Sequence, residues 1–184
     1  MKTPEYQKER SKVWFKTNVT LDTEIRETFG ATIRAALAGE LTAPEWNTHP
    51  GMVAKIVLMD QFCRNAFRGS VESFAGDALT VPIVRMLIDQ ECHKTLPPGA
   101  VNILSLPLMH SESLADHQLL EKKGPTIGMG AENLEFAKMH KDVIDRFGRY
   151  PHRNAQFNRE STPEEVEWLA SKELPGWARS QMPK

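Results

Sequence analysis

Three stretches of this chain carry the residue types that move protons and hold charges. The first reads Asp60-Gln61-Phe62-Cys63-Arg64-Asn65-Ala66-Phe67-Arg68, and the second Pro107-Leu108-Met109-His110-Ser111-Glu112 with His117 soon after. The third, Arg146-Phe147-Gly148-Arg149-Tyr150-Pro151-His152-Arg153-Asn154, sets three arginines and a histidine around a glycine and a proline. Asp60 and Arg64, four apart, can pair along a helix, with Gln61, Asn65 and Arg68 on the neighbouring stripe. His110 beside Glu112 has the make-up of an acid–base pair with an orienting carboxylate, and His152 is a second proton carrier. The forked guanidinium groups of Arg64, Arg149 and Arg153 suit a phosphate or carboxylate.

These residues are therefore read as one site assembled from distant segments. His110, Glu112 and His152 are the expected catalytic groups. Asp60, Gln61, Arg64, Asn65, Arg68, His140, Arg149, Arg153 and Asn154 are the expected ligand-binding groups. Each has a plainer reading: a surfaced helix end with one ion pair, a satisfied buried histidine, and a basic turn balanced by Asp142 and Asp145. No metal site is assigned, because His110 and Glu112 form only half of a deaminase-type zinc motif and no Pro-Cys-x-x-Cys or HExxH accompanies them. The cofactor is left open.

The elements that must position these groups read as helices throughout. In residues 22–37, Ile25, Phe29, Ile33, Ala36 and Leu37 recur at helical spacing. Residues 52–67 form a second helix, apolar nearly all round in its first half, and residues 73–92 a third, kinked or broken at Pro82. A fourth helical stretch covers 102–120 and is divided by Pro107, which leaves His110 and His117 two turns apart on one face. Residues 124–130, with Pro125 and several glycines, read as a loop, since neither the Lys-Ser/Thr ending nor the preceding strand of a phosphate loop is present. Residues 131–147 make a helix that ends at Gly148, with His140 on the same face as Phe136, Ile144 and Phe147. Thr162, Pro163 and Glu165 spell a capped helix start, and that helix runs to about Lys172. Trp14, Phe15 and Trp46 are packing residues.

With 184 residues, 26% charged, and a formal net charge of -1, the chain can bury one core and has no bulk attraction to nucleic acid or membrane. Cys63 and Cys92 show no CxxC spacing, which speaks against a disulfide framework and for a cytoplasmic setting. No apolar run reaches the roughly 20 residues of a membrane span. The expected fold is an all-α single domain over residues 1–184, a bundle or solenoid of six or seven helices, with polar ends 1–12 and 176–184 free to fray.

Four motifs then resemble a known family. Leu58-Met59-Asp60-Gln61-x-x-Arg64-Asn65-x-Phe67-Arg68, Pro107-Leu108-Met109-His110-Ser111-Glu112, Phe147 to Asn154 and Arg159-Glu160-Ser161-Thr162-Pro163-Glu164-Glu165 are similar, in this order, to the bacterial family called domain of unknown function 924. The chain departs from that pattern at Cys63, Tyr150 and Phe157-Asn158, positions that spare the charged residues. The resemblance implies a tetratricopeptide-like helical bundle with the motifs gathered in one cluster, and it carries no activity with it. Fold alone does not license peptide binding either.

Three functions remain open on this reading. The first is a site for a small phosphate- or carboxylate-bearing ligand, with or without acid–base chemistry. The second is an interaction module whose polar groups form a closed structural network and whose partner is another protein. The third is RNA binding through residues 146–159 with Tyr150 stacked on a base, against which the near-neutral charge argues.

Overall fold

The computed structural model describes residues 18–183, all of whose regular structure is helical. Trp14, Phe15 and the polar segment 1–12 lie outside the described residues. Helix α1 spans Val19–Leu37 and is capped by the Asn18 side chain, which accepts from the Leu21 amide. Ile25, Ile33 and Ala36 are buried on its inner face, as their spacing predicts.

The first motif lies on a rod of three consecutive pieces: α2 at His49–Ile56, a π-helical turn at Val57–Phe62 and α3 at Cys63–Ala66. Within the π turn the Cys63 amide reaches back five residues, to the Leu58 carbonyl. Such a turn adds one residue to a helical cycle and rotates everything after it, and it recurs at functional sites. It is packed tightly from outside: a side chain at Gly76 would collide with the Met59 carbonyl, so only glycine permits the approach.

Helix α4 covers Asp77–Asp89, preceded by a 3-10 turn at Val71–Phe74 and followed by another at Cys92–Lys94, so the expected single helix over 73–92 is divided among three elements. Pro82 neither ends nor divides α4. It and Ala78, whose carbonyl it deprives of the usual helical donor, are both exposed, where the missing bond costs least. Helix α5 spans Pro98–His110 and α6 Leu114–Ile127. Pro107 sits inside α5, and the division falls at Ser111 instead, where the Ser111 carbonyl accepts from His117 and its hydroxyl from the Ser113 amide. His110 and His117 are thus on different helices.

The expected loop at 124–130 is also corrected. Helix α6 continues through Gly124 and Pro125, and the turn comes at Gly128, whose φ is 90°. Gly124 serves close packing: a Cβ there would lie 2.9 Å from both Leu134 and Met129. Helix α7, Ala131–Phe147, ends at Gly148 with φ 68°, as expected. After a 3-10 turn at Pro151–Arg153, α8 runs Pro163–Ala170 with the expected capping box between Thr162 and Glu165. Helix α9 is the single turn Gly176–Arg179. This segment buries Ala178 and packs Trp177 against Val143, Ile144 and Tyr150.

Two apolar clusters hold the frame. Ile56, Val84, Leu87, Leu104, Leu108 and Leu120 join α2, α4, α5 and α6, and Ile33, Leu58, Met59 and Cys63 join α1 to the π turn. At roughly 25 cal/mol per Å² of apolar surface removed from water, these seams dominate the favourable side of folding. They fix the end of α5 against the π turn, which is where the polar motifs meet.

Candidate functional site

Asp60 is fully buried on the π turn, and its carboxylate accepts from His110 Nδ1 at 2.8 Å. Arg64 Nη1 stands 3.2 Å from the same carboxylate, and Gln61 donates to it as well. Burial alone would raise the Asp60 pKa, but the charge of Arg64, joined by that of His110 once acid has protonated the ring, outweighs it and holds the carboxyl well below the usual range. Burial, with Arg64 beside it, lowers His110 despite the opposing pull of Asp60. His110 is then neutral at pH 7, and its Nδ1–H is the hydrogen shared with Asp60. Nε2 is left as the free base on a side chain that keeps 15% of its exposure.

A second carboxylate ties this pair to the third motif. Asp77, the first residue of α4, receives Arg64 Nη2 at 3.0 Å and Arg153 Nη1 at 2.9 Å. Arg153 also donates to the His110 carbonyl at 2.9 Å, and its guanidinium lies 4.5 Å from the Phe74 ring centre and 4.6 Å from that of Tyr150. Asp60, Asp77, Arg64 and Arg153 therefore form a neutral quartet with His110 at its open side.

His140 and His152 flank the quartet through an aromatic group. His140 Nδ1 donates to the Phe136 carbonyl, and its ring stacks on Trp177 at 3.8 Å and 20°. Its ring centre is 6.0 Å from that of His110. His152 packs edge-on to Trp177 at 5.4 Å, and its Nδ1 is buried without a hydrogen-bond partner. Desolvation holds both histidines well below the ordinary imidazole value. Phe136, expected beside His140 in the interior, is 48% exposed.

The remaining expected site residues serve other pairs. Asn65 and Arg68 turn to Asp22 of α1, at 2.8 and 2.7 Å. Glu112 does not orient His110: it binds Arg159 at 2.7 Å and accepts from the Tyr150 amide at 2.8 Å. Arg149 grips Glu165 of the α8 capping box at 2.7 Å, and Asn154 donates to the same carboxylate at 3.2 Å. Arg146 pairs with Glu164. Tyr150, proposed as a base-stacking residue, has no exposed surface, and its hydroxyl donates to the Met109 carbonyl at 2.5 Å, so no base can reach its ring. Asp77 and Trp177 were missed. Asp77 carries no local mark beyond an acidic residue after a glycine, and Trp177 lies in a segment read as a polar tail.

Among the described residues, no group of three or more His, Cys, Asp or Glu is placed to hold a metal ion. None of the described helices is long and apolar enough to cross a membrane. A hollow of about 190 Å³ lies between α1, α2 and α4, lined by Ala36, Leu37, Leu41, Lys55, Met59 and Ile83, residues outside the quartet.

The family model described as bacterial protein of unknown function (DUF924) matches residues 3–173, and the chain belongs to that family. Among solved structures it is similar to the protein of unknown function ATU0120 from Agrobacterium tumefaciens. The two are 31% identical with a TM-score of 0.76, over 85% of this chain and 88% of that one. No curated protein matches.

Proposed function

We propose that this chain binds a small polar molecule beside His110 and moves a proton to or from it, with His110 Nε2 as the general base and Asp60 as the residue that orients and charges it. What supports the reading is one arrangement: a wholly buried, ionised Asp60 spent on Nδ1 of a neutral histidine whose side chain keeps 15% of its exposure. A buried carboxylate is expensive unless closely matched, and this one fixes both the tautomer and the direction of the imidazole. As Nε2 takes a proton from a hydroxyl or from water, Asp60 stabilises the imidazolium that forms. A positioned base of this kind contributes about 10²–10⁴ in rate.

The charge of the quartet narrows the ligand. Arg64 and Arg153 are offset by Asp60 and Asp77, Arg149 by Glu165 and Arg159 by Glu112. A phosphate or carboxylate on the ligand would have to displace one of these partners. The reading therefore favours a ligand whose reacting group is uncharged, a hydroxyl, an ester or an attacking water.

The test is turnover of a panel of neutral esters, lactones and hydroxylated metabolites by the wild-type chain, His110→Asn, Asp60→Asn and Arg149→Ala. Turnover lost in the first two variants and kept in the third supports the reading. Turnover that survives in His110→Asn, or no turnover of any panel member by the wild type, overturns it. The second reading, a closed structural network on an interaction module, is favoured by the pairing of every arginine just named and is the one left standing in the latter case.

A further inference from the structure

The aromatic group beside the quartet has the form of a filled binding slot. Trp177 lies on the face of His140 at 3.8 Å, nearly parallel, with Tyr150 and His152 standing against it at 77° and 80°. Floor and walls are thus set for one flat bicyclic ring. The ring that fills the slot suits it badly in one respect. The indole Nε1–H is buried and has no partner, and neither has the buried Nδ1 of His152. Buried polar groups are nearly always satisfied, and two that are not, side by side at one ring, call for an explanation that a bound ligand can supply.

The segment that delivers Trp177 is lightly held. Residues 175–183 contain a single helical turn, and the side chains that tie their backbone to the rest of the chain are Gln156, donating to the Gln181 carbonyl at 2.6 Å, and Arg68, donating to the Ser180 carbonyl at 3.4 Å. Its apolar anchorage is Ala178 and the Trp177 ring itself, which packs against Val143, Ile144 and Tyr150. The family match ends at residue 173, before this strap begins. A one-turn helix whose hold on the rest of the chain runs mainly through a single ring is the kind of segment that opens locally without global unfolding.

We infer that Trp177 occupies, from within the chain, the site of a planar heteroaromatic ligand of purine size, which stacks on His140 and bonds His152 Nδ1 when the strap swings out. Stacking on an aromatic face accepts any such ring, while the unpaired nitrogen of His152 selects one with a polar edge. A purine has the outline of indole and carries ring nitrogens where indole carries carbon. Such a ligand would lie next to the His110 ring, but its binding stands whether or not His110 acts as a base.

The experiment is a titration of the full chain with adenine and with adenosine, up to their solubility limits, read from the side-chain resonances of His140, His152 and the Trp177 indole. The wild type is expected to show saturable shifts confined to these three residues. Trp177→Ala, which removes the competing ring, should bind roughly tenfold or more tightly. Indene, a bicycle of the same outline with no nitrogen to offer His152, should bind Trp177→Ala alone. Trp177→Leu replaces the alanine variant if that one does not fold. His110→Asn should keep adenine binding, which separates this result from the fate of the proton-transfer reading. Shifts with adenosine but not adenine would place the ribose in the site and still support the assignment. No saturable shift in the wild type overturns it, and so does binding found only after Trp177 is removed, which would be an artificial cavity.

Discussion

Asp60 and His110 stand fifty positions apart in the chain and meet with carboxylate and Nδ1 2.8 Å apart, one at the π turn and the other on the last residue of α5. The contact is possible because the extra residue of the π turn brings Asp60 inward, where α5 ends.

Replacing Asp60 with asparagine leaves Arg64 with one carboxylate instead of two and His110 without a charged acceptor. Removing one partner of a buried ion pair costs about 3–5 kcal/mol. Urea unfolding of Asp60→Asn should show a loss of that order with an unchanged denaturant slope. A loss below about 1 kcal/mol, the scale of an exposed pair, would mean the carboxylate is far better solvated than its burial indicates.

Gly76→Ala should be much worse than its size suggests. The added methyl meets the Met59 backbone inside the π turn, which cannot yield without shifting the residue that precedes Asp60. The expected loss is about 3 kcal/mol, the upper end of overpacking effects. Gly99→Ala is the control: it lies near the start of α5 with nothing within 4 Å, and should be neutral or stabilising by up to about 1 kcal/mol. Equal Tm values for the two variants would contradict the packing described for the π turn.

Stability should fall on mild acidification. Burial, the largest cause for each, lowers His110, His117, His140 and His152 below the ordinary value of about 6.5, so the unfolded chain binds protons that the folded chain does not. The folded state is then favoured above that pH and loses ground as pH drops beneath it, each histidine adding up to about 1.4 kcal/mol per pH unit. Asp60 acts in the same sense at lower pH: its depressed carboxyl stabilises the fold above about 3.9, the unfolded value, and that contribution goes as pH falls through the folded one. Urea midpoints measured from about pH 7.5 down to about pH 5 should decline steadily. A midpoint that rose on acidification would reverse the sign.

Arg149 and Arg153 are four residues apart and should behave differently. Arg153→Ala leaves Asp77 short of a charge in the interior and strips the support beneath the His110 carbonyl, with an expected loss of about 3–5 kcal/mol. Arg149 is 28% exposed at its side chain, so the Arg149→Ala effect should be nearer 1 kcal/mol and confined to the docking of α8. Hydrogen exchange would locate it: faster exchange in α8 with α5 unchanged is the expected pattern, and faster exchange at the end of α5 would be contrary to it.

Local chemistry was readable in advance where it was self-contained. The Thr162–Glu165 capping box and the buried face of α1 depend on residues within one or two turns; the box stands as read, and the face does at Ile25, Ile33 and Ala36, while Phe29 of the same stripe is exposed. The meeting of Asp60, Arg64, His110 and Arg153 was also legible, because residue types costly to bury singly had to find one another. The division of labour was not. Asn65 and Arg68 serve Asp22 because successive turns of one helix face different neighbours, and nothing in their own segment names α1 as theirs. The π turn has no local signature, since it is imposed by packing around Met59 and Gly76. Gly124 resembled loop material because glycine for close packing and glycine for a turn are the same letter.

The central claim is the protonation of His110, and long-range proton–nitrogen correlation spectra of its imidazole at neutral pH measure it directly. A proton on Nδ1 with Nε2 bare, changing when Asp60 becomes asparagine, is the result predicted here. A proton on Nε2, or a doubly protonated ring at pH 7, would leave the site without a base and contradict the account.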